Sequence, residues 1–402
     1  MSRINDLIKE LCPNGVKYST IESVIESYSS GLNPRQNFKL NEYGADLYYV
    51  TVKEMTTGKI VFSDKTDRIT KDAWNKIQNR SKLEINDILF SGIGTIGKVA
   101  LVDIPVDNWN CSESVIILKP RINMILPKYL VHLLRSSNVQ EQWANQSVGS
   151  TLKGLRKDNV LKTKIALPPL KVQEEIVRIL DKFGELEAEL EAELEARKSQ
   201  YEFWRGKLLN KKNNNYKKYN ITEICKSISV GGDVPEDTIK GISKPQDDYK
   251  YPVISNGVGE NAIYGYSKNY RVDAQSCVTI AARGTIGYHE VRYGKFTPII
   301  RLITLIPDEK IISAKYLHYA LYGHEFKPSG GGIPQLTTPT VKQLDLIIPP
   351  VEEQNRIVSI LDKFDKLVND ITDGLPAEIE LRRKQYEYYR NKLLNFEDIQ
   401  YE

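Results

Sequence analysis

Two long stretches of the chain have apolar residues in steps of three, four or seven, the spacing of one face of an α-helix. In the first stretch these residues are Ile176, Ile179, Phe183, Leu186, Leu190, Leu194, Tyr201 and Leu208. In the second they are Ile357, Ile360, Phe364, Leu367, Ile371, Ile379, Tyr386 and Leu393. Each series predicts a long helix with one narrow apolar stripe.

The second helix is predicted to be interrupted, whereas the first is not. Residues 171–210 would form a helix about 60 Å long at 1.5 Å per residue. In the second stretch, Gly374 and Pro376 stand between two parts of the stripe, and proline removes a helical hydrogen bond and clashes one turn back. Two narrow stripes predict that the helices pack on each other, and an antiparallel pair would hold the regions at their ends a fixed distance apart.

The two helices belong to an internal repeat. Residues 167–186, LPPLKVQEEIVRILDKFGEL, match residues 348–367, IPPVEEQNRIVSILDKFDKL, at 11 of 20 positions with an offset of 181. Residues 197–210 match residues 382–395 at 9 of 14 positions with an offset of 185, so the second copy has four extra residues. The chain is therefore a tandem duplication: a divergent region, a similar helix, a second divergent region and a second similar helix.

A glycine-rich segment in the first divergent region raises the question of a nucleotide site. Residues 90–101, FSGIGTIGKVAL, contain both GxGxxG and GxxxxGK, but a phosphate-binding loop of either type leads into a helix. Here a β-branched apolar run follows, and Val99 stands where a phosphate loop has Ser or Thr. The segment predicts a β-hairpin, and the return of GTIG at residues 284–287 between strand-like runs predicts a second one.

Composition narrows the class of protein without deciding it. A chain of 402 residues predicts two or three domains, and a net charge of +4 is compatible with nucleic-acid binding without indicating it. The four cysteines are dispersed and expected to be reduced and buried. No metal site is predicted, although His318 and His324 are expected to share a helix. No apolar run could span a bilayer and the start is polar, so we expect a cytoplasmic protein.

Two divergent regions on a repeated spacer favour two related targets at a set distance. DNA is a natural ruler, because its major grooves recur on one face about every 34 to 36 Å. Polar loops in both regions offer side chains suited to phosphates and base edges, although solvated turns without a ligand remain the alternative. The candidate DNA contacts are Asn33, Arg35, Gln36, Ser91, Thr95, Lys98, Lys153, Arg156, Ser229, Asn256, Arg283, Thr285, Tyr288 and Gln335.

The motifs LPPLKVQEEIVRILDKF, IPPVEEQNRIVSILDKF and DGLPAEIELRRKQYEYYRNKLL, in the order found here, resemble the DNA specificity subunit of type I restriction-modification enzymes over essentially the whole chain. The resemblance implies an α+β fold with two mixed α/β target recognition domains and a pseudo-two-fold internal repeat. Two long antiparallel coiled-coil helices would separate the domains. The implied boundaries are 1–167 for recognition domain 1, 168–212 for a central helical spacer, 213–348 for recognition domain 2 and 349–402 for a C-terminal helical spacer.

The same resemblance implies a non-catalytic subunit whose recognition domains each read half of a bipartite, asymmetric site in double-stranded DNA. The helices would dock two methyltransferase subunits, and two motor-nuclease subunits would join them for restriction. S-adenosylmethionine, ATP and magnesium would be bound by those partners, with no cofactor in this chain. The residues expected in the coiled coil and in docking are Ile176, Phe183, Leu190, Tyr201, Ile357, Phe364, Ile379 and Tyr386.

The sequence does not contain the motifs expected of a methyltransferase or nuclease. The Pro-Pro pairs in LPPL and IPPV have apolar neighbours and stand at helix entries, unlike the polar Pro-Pro-aromatic loop that holds a flipped adenine. Two other interpretations stay open: a coiled-coil scaffold whose globular regions bind protein, and a fused restriction and methylation enzyme. The scaffold predicts no salt-dependent affinity for DNA, and the fused enzyme requires a catalytic motif that the sequence does not offer.

Overall fold

The computed structural model describes residues 2–35, 37–56, 58–92, 95–146, 154–210, 215–322, 324, 326 and 334–396. The chain forms two compact units. Unit 1 contains Met1–Glu191 and Glu378–Glu402, and unit 2 contains Ala192–Ala377. Each unit therefore combines one divergent region with parts of both helical regions.

Unit 1 begins with a mixed α/β region. Its strands are β1 (Tyr18–Thr20), β2 (Ile25–Ser30), β3 (Leu47–Val50), β4 (Met55–Thr56), β5 (Lys59–Ile60), β6 (Arg68–Ile69), β7 (Ile88–Ser91), β8 (Val99–Leu101), β9 (Trp109–Cys111), β10 (Val115–Pro120) and β11 (Lys164–Ala166). Its helices are α1 (Ser2–Leu11), α2 (Ile21–Val24), α3 (Lys71–Ser81), α4 (Pro127–Leu134), α5 (Ser137–Gln146) and α6 (Lys157–Leu161).

An antiparallel sheet in the order β2-β10-β7-β8 carries the core of unit 1. Successive side chains of a strand point to opposite faces, so each face has its own apolar cluster. Ile88 and Phe90 pack with the helices, where the Phe90 and Trp143 rings lie 4.5 Å apart. Leu89 packs on the other face with Trp109. The sheet is thus covered on both faces, and its loops remain accessible to solvent.

Unit 2 repeats this plan. After α7 (Leu170–Leu209), its strands are β12 (Lys217–Asn220), β13 (Cys225–Val230), β14 (Ile239–Lys240), β15 (Tyr251–Ile254), β16 (Ile263–Ser267), β17 (Val272–Ile280), β18 (His289–Pro298), β19 (Ile303–Pro307) and β20 (Asp345–Ile348). Its helices are α8 (Ile221–Ile224), α9 (Ala314–Leu321), α10 (Thr338–Lys342) and α11 (Val351–Asn369), and α12 (Leu375–Leu394) follows.

A seven-stranded sheet in the order β13-β19-β17-β18-β15-β16-β14 organises unit 2. Val278 and Ile280 pack with Leu317 of α9, whereas Cys277 packs with Phe296 in a separate cluster on the opposite face. In both units a two-stranded ribbon, β1 with β11 or β12 with β20, comes directly before the long helix. The repeat found in the sequence therefore extends to the strand pairing.

The helical predictions are confirmed. Helix α7 runs through 40 residues without a break, and α11 and α12 are separated by residues 370–374, next to the predicted interruption. Within unit 1, α7 and α12 run antiparallel, because Phe183 stacks on Tyr389 at 5.2 Å while Glu187 accepts a hydrogen bond from Arg383 Nε at 2.6 Å. The α+β class with an internal repeat is confirmed. One local prediction is wrong: α9 ends at Leu321, so His324 does not share a helix with His318.

Candidate nucleic-acid interface

The predicted hairpin of unit 1 is present. Strands β7 and β8 pair antiparallel with Phe90 opposite Val99, and the turn ends at Gly97, whose φ is +89°. Ser91 N donates to Lys98 O at 2.9 Å, and Lys98 N donates to Ser91 Oγ at 2.9 Å. Because a strand follows the glycines, the helix N-terminus of a phosphate-binding loop is not formed here, and the hairpin interpretation is confirmed.

The second predicted hairpin is built in the same way. Ile280 of β17 pairs with His289 of β18, and Ala281 N donates to Tyr288 O at 2.7 Å. The turn ends at Gly287, whose φ is +84°. Left-handed backbone costs glycine little and other residues more. The GTIG motif shared by the two copies therefore keeps a turn shape.

A second loop lies against each hairpin. In unit 1, Leu155 N donates to Gly92 O at 2.8 Å, and Arg156 comes next in the chain. In unit 2, Leu336 N donates to Ala282 O at 2.9 Å. The structure thus brings together two loops of each repeat that were predicted separately, 63 residues apart in unit 1 and 54 in unit 2, counted between the bonded residues.

Arg283 and Gln335, both predicted as DNA contacts, touch each other in unit 2. Arg283 Nε and Nη2 donate to Gln335 Oε1 at 3.3 and 3.1 Å. Within the described ranges, the Gln335 amide nitrogen has no hydrogen bond. Guanidinium and carboxamide groups recognise guanine and adenine by paired hydrogen bonds, so this pair has the chemistry needed for base recognition.

Asn256 is half-buried and hydrogen-bonded within the protein, and its role as a DNA contact stays a prediction. Its Oδ1 accepts a hydrogen bond from Ala282 N at 2.8 Å, and its Nδ2 donates to Ile300 O at 2.7 Å. Its main-chain oxygen accepts from Thr285 Oγ1 at 2.6 Å. Both ends of the side chain are thus engaged within the protein. Asn256 positions three loops relative to one another.

Three other predicted DNA contacts are buried or hydrogen-bonded within the protein to different extents. A DNA contact does not fit Ser91, because its side chain is fully buried and its hydroxyl is hydrogen-bonded across the hairpin. Ser229 is half-buried in β13, opposite Thr304. The Tyr288 hydroxyl donates to Glu290 at 3.4 Å, and burial raises the pKa of Tyr288. Ser229 and Tyr288 stay predictions as DNA contacts.

The remaining predicted contacts differ in accessibility. Asn33 is half-buried and its amide donates to Glu113. Five have exposed or half-buried side chains: Arg35, Thr95, Lys98, Arg156 and Thr285. Two lie outside the residues that the structure describes: Gln36 and Lys153. The accessible side chains lie on the loops and turns that leave the sheets, where a ligand can reach them.

Several cations near these loops keep their charge available. Lys98 Nζ donates to the main-chain oxygen of Val52 at 3.1 Å, and Arg271 Nη1 donates to that of Asp233 at 2.7 Å. Neutral acceptors leave the positive charge in place. Over the described parts of the chain, cations near the hairpins and adjoining turns that take no part in a salt bridge include Lys98, Arg156, Arg271, Arg283 and Arg301. Arg271 and Arg301 were missed by sequence reasoning: Arg271 lies in the polar run SKNYR, which was not considered, and Arg301 lies between apolar residues.

The helical part of unit 1 has a partly buried polar cluster around Asp181 of α7. Asp181 accepts from Lys128 Nζ at 2.6 Å and lies 3.2 Å from His132 Nε2, while His132 Nδ1 lies 3.0 Å from the Tyr386 hydroxyl. Burial lowers the pKa of His132, against the opposing effect of Asp181. In the neutral ring, Nε2–H donates to Asp181 and Nδ1 accepts from Tyr386. The cluster joins α4, α7 and α12.

Unit 2 has the corresponding cluster with one exchange. Asp362 of α11 pairs with Lys315 and accepts from the Tyr319 hydroxyl at 2.8 Å. The repeat alignment places Asp362 at Asp181 and Lys315 at Lys128, so Tyr319 takes the position of His132. The aspartate and lysine are shared, and the third partner differs. These clusters hold each long helix against its own recognition region.

The residues predicted for the coiled coil lie mostly inside the units. Five are buried: Ile176, Tyr201, Ile357, Ile379 and Tyr386. Three are half-buried: Phe183, Leu190 and Phe364. Their part in docking another subunit stays a prediction. On the exposed surface of the helices, Phe203 and Tyr388 occupy equivalent repeat positions and are 61% and 59% exposed. Sequence reasoning missed this pair.

The remaining expectations concern cysteines, metal ligands and membrane spans. Cys12, Cys111 and Cys277 are buried, as expected, whereas Cys225 is half-buried. Within the ranges described, His, Cys, Asp and Glu side chains do not form a group of three or more suited to a metal ion. The helices seen in those ranges are too short or too polar to cross a membrane.

A family model and several known proteins match the chain. The model for the type I restriction modification DNA specificity domain matches twice, at residues 13–196 and 213–381. A Mycoplasma pneumoniae protein named as a type I specificity subunit is 37% identical over 302 residues, covering 72% of this chain and 88% of its own length. The specificity subunit of the Escherichia coli type I restriction enzyme EcoR124I/EcoR124II is 33% identical over 250 residues, covering 56% and 60%.

Solved structures with low sequence identity share the fold. One chain from a type I R-M system matches with a TM-score of 0.61 at 18% identity, covering 95% of this chain and 98% of its own. A type I S subunit from Mycoplasma genitalium matches with a TM-score of 0.53 at 15% identity, covering 95% and 97%. The architecture described above is therefore found in other proteins whose sequences have diverged far from this one.

Proposed function

The chain belongs to the type I restriction modification DNA specificity domain family, and from this we propose that it reads a bipartite, asymmetric DNA site for a methyltransferase. It has no catalytic role of its own in this proposal. Unit 1 recognises one half-site and unit 2 the other. Two methyltransferase subunits bind the helices, and two motor-nuclease subunits join them for restriction. S-adenosylmethionine, ATP and magnesium belong to those partners.

One observation carries the proposal: several Lys and Arg side chains near the hairpins form no salt bridge, so their positive charge is not neutralised. Lys98 and Arg156 belong to unit 1, and Arg271, Arg283 and Arg301 belong to unit 2. On the helices, by contrast, cations such as Arg178, Arg197 and Arg383 are paired with carboxylates. A phosphate backbone attracts cations whose field is not cancelled locally, so the loop region of each unit supports DNA binding.

Reading of two different half-sites is supported by the repeat itself. Each unit has a hairpin with an adjoining loop, but the accessible residues differ: Thr95, Lys98 and Arg156 in unit 1, Arg283, Thr285 and Gln335 in unit 2. The scaffold is shared while the side chains that would meet bases are not. Such a pair of surfaces suits an asymmetric sequence. The unbroken α7 contributes its first half to unit 1 and its second half to unit 2, which makes its length a determinant of the gap.

Docking of two methyltransferase subunits is supported by equivalent exposed aromatics. Phe203 and Tyr388 occupy the same repeat position, and Lys207 and Lys392 lie over their rings at 5.7 Å. An exposed aromatic residue with no burial role is a common anchor at protein interfaces. Because the feature occurs twice, it suits two copies of one partner.

Methylome sequencing tests the central claim. Cells that co-express the full chain with its cognate methyltransferase should acquire methylated adenine in a gapped motif, two short half-sites around a fixed non-specific spacer. If no such motif appears, the proposal fails.

Exchange of parts tests the modular organisation. Replacing residues 20–165 with the first recognition region of another family member should change one half-site and leave the other. Changing the length of α7 near Leu190 should change the gap alone. A simultaneous change of both half-sites after the first exchange contradicts the assignment of one half-site to each unit.

Salt dependence separates this function from that of a protein-binding scaffold. Affinity of the assembled complex for its DNA site should fall steeply as salt rises, since each phosphate contact releases counterions. Replacing Lys98 or Arg156 by Ala should reduce the slope by about one unit for each phosphate that the side chain no longer neutralises. A complex without salt-dependent DNA binding would favour the scaffold.

A further inference from the structure

A short turn at the sheet edge of unit 1, residues 112–115, follows directly after β9. Strand β9 is parallel to β3, with Cys111 opposite Val50. Ser112 N donates to Val50 O at 2.9 Å, and Val115 N donates to Ser112 O at 3.1 Å. The turn then leads into β10. We call residues 112–115 the first turn.

Unit 2 has the same turn at residues 299–302, the second turn. Strand β18 is parallel to β15, with Pro298 opposite Ile254. Ile299 N donates to Ile254 O at 2.9 Å, and Leu302 N donates to Ile299 O at 3.1 Å before the chain enters β19. Strand partners, hydrogen bonds and lengths agree, so the two turns are equivalent parts of the repeat.

The tips of the two turns differ in chemistry. The first turn presents Glu113, which is exposed and accepts a hydrogen bond from Asn33, followed by Ser114. The second turn presents Ile300 and Arg301 at the same two positions, and both are exposed. An acidic tip in one recognition region thus corresponds to an apolar and cationic tip in the other. The strand framework is kept, while the turn backbone and the accessible side chains differ.

The second turn also has strained backbone. Ile300 and Arg301 have φ values of +53° and +62°. A left-handed conformation is a genuine outlier for a β-branched residue, and it persists only where the surrounding structure imposes it. The residues that suit this backbone are Gly and Asn. The presence of Ile and Arg here indicates that their side chains serve a purpose that stability alone does not explain.

The surrounding loops impose this conformation through three hydrogen bonds. Ile300 N donates to Gly232 O at 3.0 Å, and Arg301 N donates to Gly231 O at 3.1 Å. Ile300 O accepts from Asn256 Nδ2 at 2.7 Å. Asn256 also holds the hairpin, so the second turn is fixed relative to the loop that contains Arg283. The backbone is held while the side chains of Ile300 and Arg301 remain exposed.

Arg301 is equipped to bind a ligand. Its side chain is exposed, and over the described parts of the chain it makes no salt bridge or hydrogen bond. Arg271, close by at Gly232, and Arg283, across Asn256, add positive charge. An arginine held on a rigid backbone is well suited to donate two hydrogen bonds to guanine, and a fixed carboxylate is suited to accept one from cytosine.

We propose that the two turns discriminate bases in the two half-sites, with Arg301 selecting a guanine in the half-site of unit 2 and Glu113 a cytosine in that of unit 1. Ile300 packs against the neighbouring base edge or sugar. This inference rests on the proposed function and assigns its specificity to two residues that the sequence motifs do not mark.

The test uses methylome sequencing of cells that contain the full chain with its methyltransferase. Arg301→Ala should relax one position of the unit 2 half-site, with discrimination against the wrong base falling about tenfold or more. The unit 1 half-site and the gap should be unchanged. Lys310→Ala is the matched control, an exposed cation beyond the opposite end of β19, and it should leave the whole motif unchanged.

A second variant keeps the test decisive if Arg301→Ala does not fold, which its melting temperature would show. Arg301→Lys keeps the charge and removes the paired donors, so it should relax the same position. An unaltered motif in both folded variants overturns the inference. Equal loss of methylation at every sequence also overturns it, because that is the result expected for a phosphate contact.

The reciprocal variant is Glu113→Ala, which should relax one position of the unit 1 half-site only. Relaxation in the other half-site, or in neither, contradicts the pairing of turns with half-sites. The wild-type chain separates failure of the proposed function from failure of this pairing. If it yields no gapped motif, the proposed function itself fails, whereas a normal motif that these variants leave unchanged removes only the assignment of the turns.

Discussion

Gln173 and Gln354 occupy matching positions in the two repeats and make the same three hydrogen bonds. Gln173 Oε1 accepts from Leu126 N at 2.9 Å, and its Nε2 donates to Met124 O at 3.0 Å and to Pro168 O at 2.8 Å. One side chain thus joins the start of α7 to the loop before α4.

Gln354 does the same for α11 and α9. Its Oε1 accepts from Ser313 N at 3.1 Å, and its Nε2 donates to Ile311 O at 2.8 Å and to Pro349 O at 3.0 Å. Both glutamines are fully buried. Each therefore fixes the angle at which a long helix leaves its recognition region.

Replacing Gln354 by Met should destabilise unit 2 by about 3 kcal/mol or more. The methionine fills a similar volume but leaves one N–H and two carbonyl groups buried without a partner, at about 1 to 3 kcal/mol for each unsatisfied group. Urea denaturation measures the change. Gln200→Met, at an exposed position of α7, is the control and should change the free energy of unfolding by less than about 0.5 kcal/mol. Equal effects of the two variants would contradict the role of the buried hydrogen bonds.

Gly97→Ala should destabilise unit 1 by about 2 kcal/mol or more. A left-handed backbone penalises alanine by about 1 to 2 kcal/mol. The new methyl group would also overlap Oε1 of Gln140, a side chain that is held in place because its Nε2 donates to Gly97 O at 3.1 Å. Gly284→Ala is the matched comparison, with a φ of +69° and open space around the added carbon. Gly284→Ala should lose only the stability that a left-handed backbone costs alanine. Thermal unfolding of both variants checks this, and a larger loss for Gly284→Ala would be the contrary result.

Gly184→Ala should stabilise the protein by about 0.5 to 1 kcal/mol, because glycine in a helix interior is less favourable than alanine by that amount. Gly184 lies within α7, and an added Cβ would touch nothing within 4 Å. Gly241→Ala has equally open space but a φ of +74°, so it should destabilise. Chemical denaturation gives both values, and the same sign for the two would contradict a backbone origin.

Unit 2 should lose stability as pH falls below about 6.5. The His289 and His318 rings lie 4.8 Å apart, and burial lowers the pKa of His289 to about 3 and that of His318 to about 4. Asp365 and Asp362 favour the charged form of His318, while Lys315 opposes it. The unfolded chain binds protons on both rings below about pH 6.5 and the native chain does not until much lower pH. Stability is therefore fully present above that pH and decreases below it.

The expected slope is about 1.4 kcal/mol per pH unit for each histidine that remains neutral in the native state. His318→Phe keeps a ring against His289 and removes one titrating group, so its stability should depend less steeply on pH between the unfolded and native pKa values of that histidine. Urea midpoints at several pH values measure this. Parallel curves for the wild type and the variant would show that His318 does not contribute.

Leu190→Pro should weaken assembly with methyltransferase subunits. Proline in the interior of α7 removes a hydrogen bond and clashes with the preceding turn, at about 3 kcal/mol or more. Native mass spectrometry of the co-expressed subunits should show less intact complex. Leu190→Ala, which keeps a good helix former at this half-buried position, separates loss of the helix from loss of the side chain. An intact complex with Leu190→Pro would count against the role of a continuous α7.

Local patterns were sufficient for the helices and hairpins. The stripe from Ile176 to Leu208 predicted α7, because a period near 3.6 is a property of consecutive residues. Pro376 predicted the interruption of the second helix, and GTIG between β-branched runs predicted both turns. Each of these elements has a local physical cause, either periodic burial or the dihedral restriction of a single residue. That cause is encoded within a few positions of the sequence. The resemblance to a known family was visible for the same reason, since its motifs lie on these helices.

The tertiary structure decided which polar residues are accessible. Ser91 looked like a loop residue but is buried, and Asn256 is engaged with Ala282 and Ile300, which lie 26 and 44 positions further along the chain. The left-handed backbone of Ile300 and the accessibility of Arg301 have no local signal, because isoleucine and its apolar neighbours indicate an ordinary strand. The sequence by itself determined the long helices, the hairpins and the repeat. Hydrogen bonds and packing between distant segments determined which side chains face solvent, since burial depends on contacts that no local pattern records.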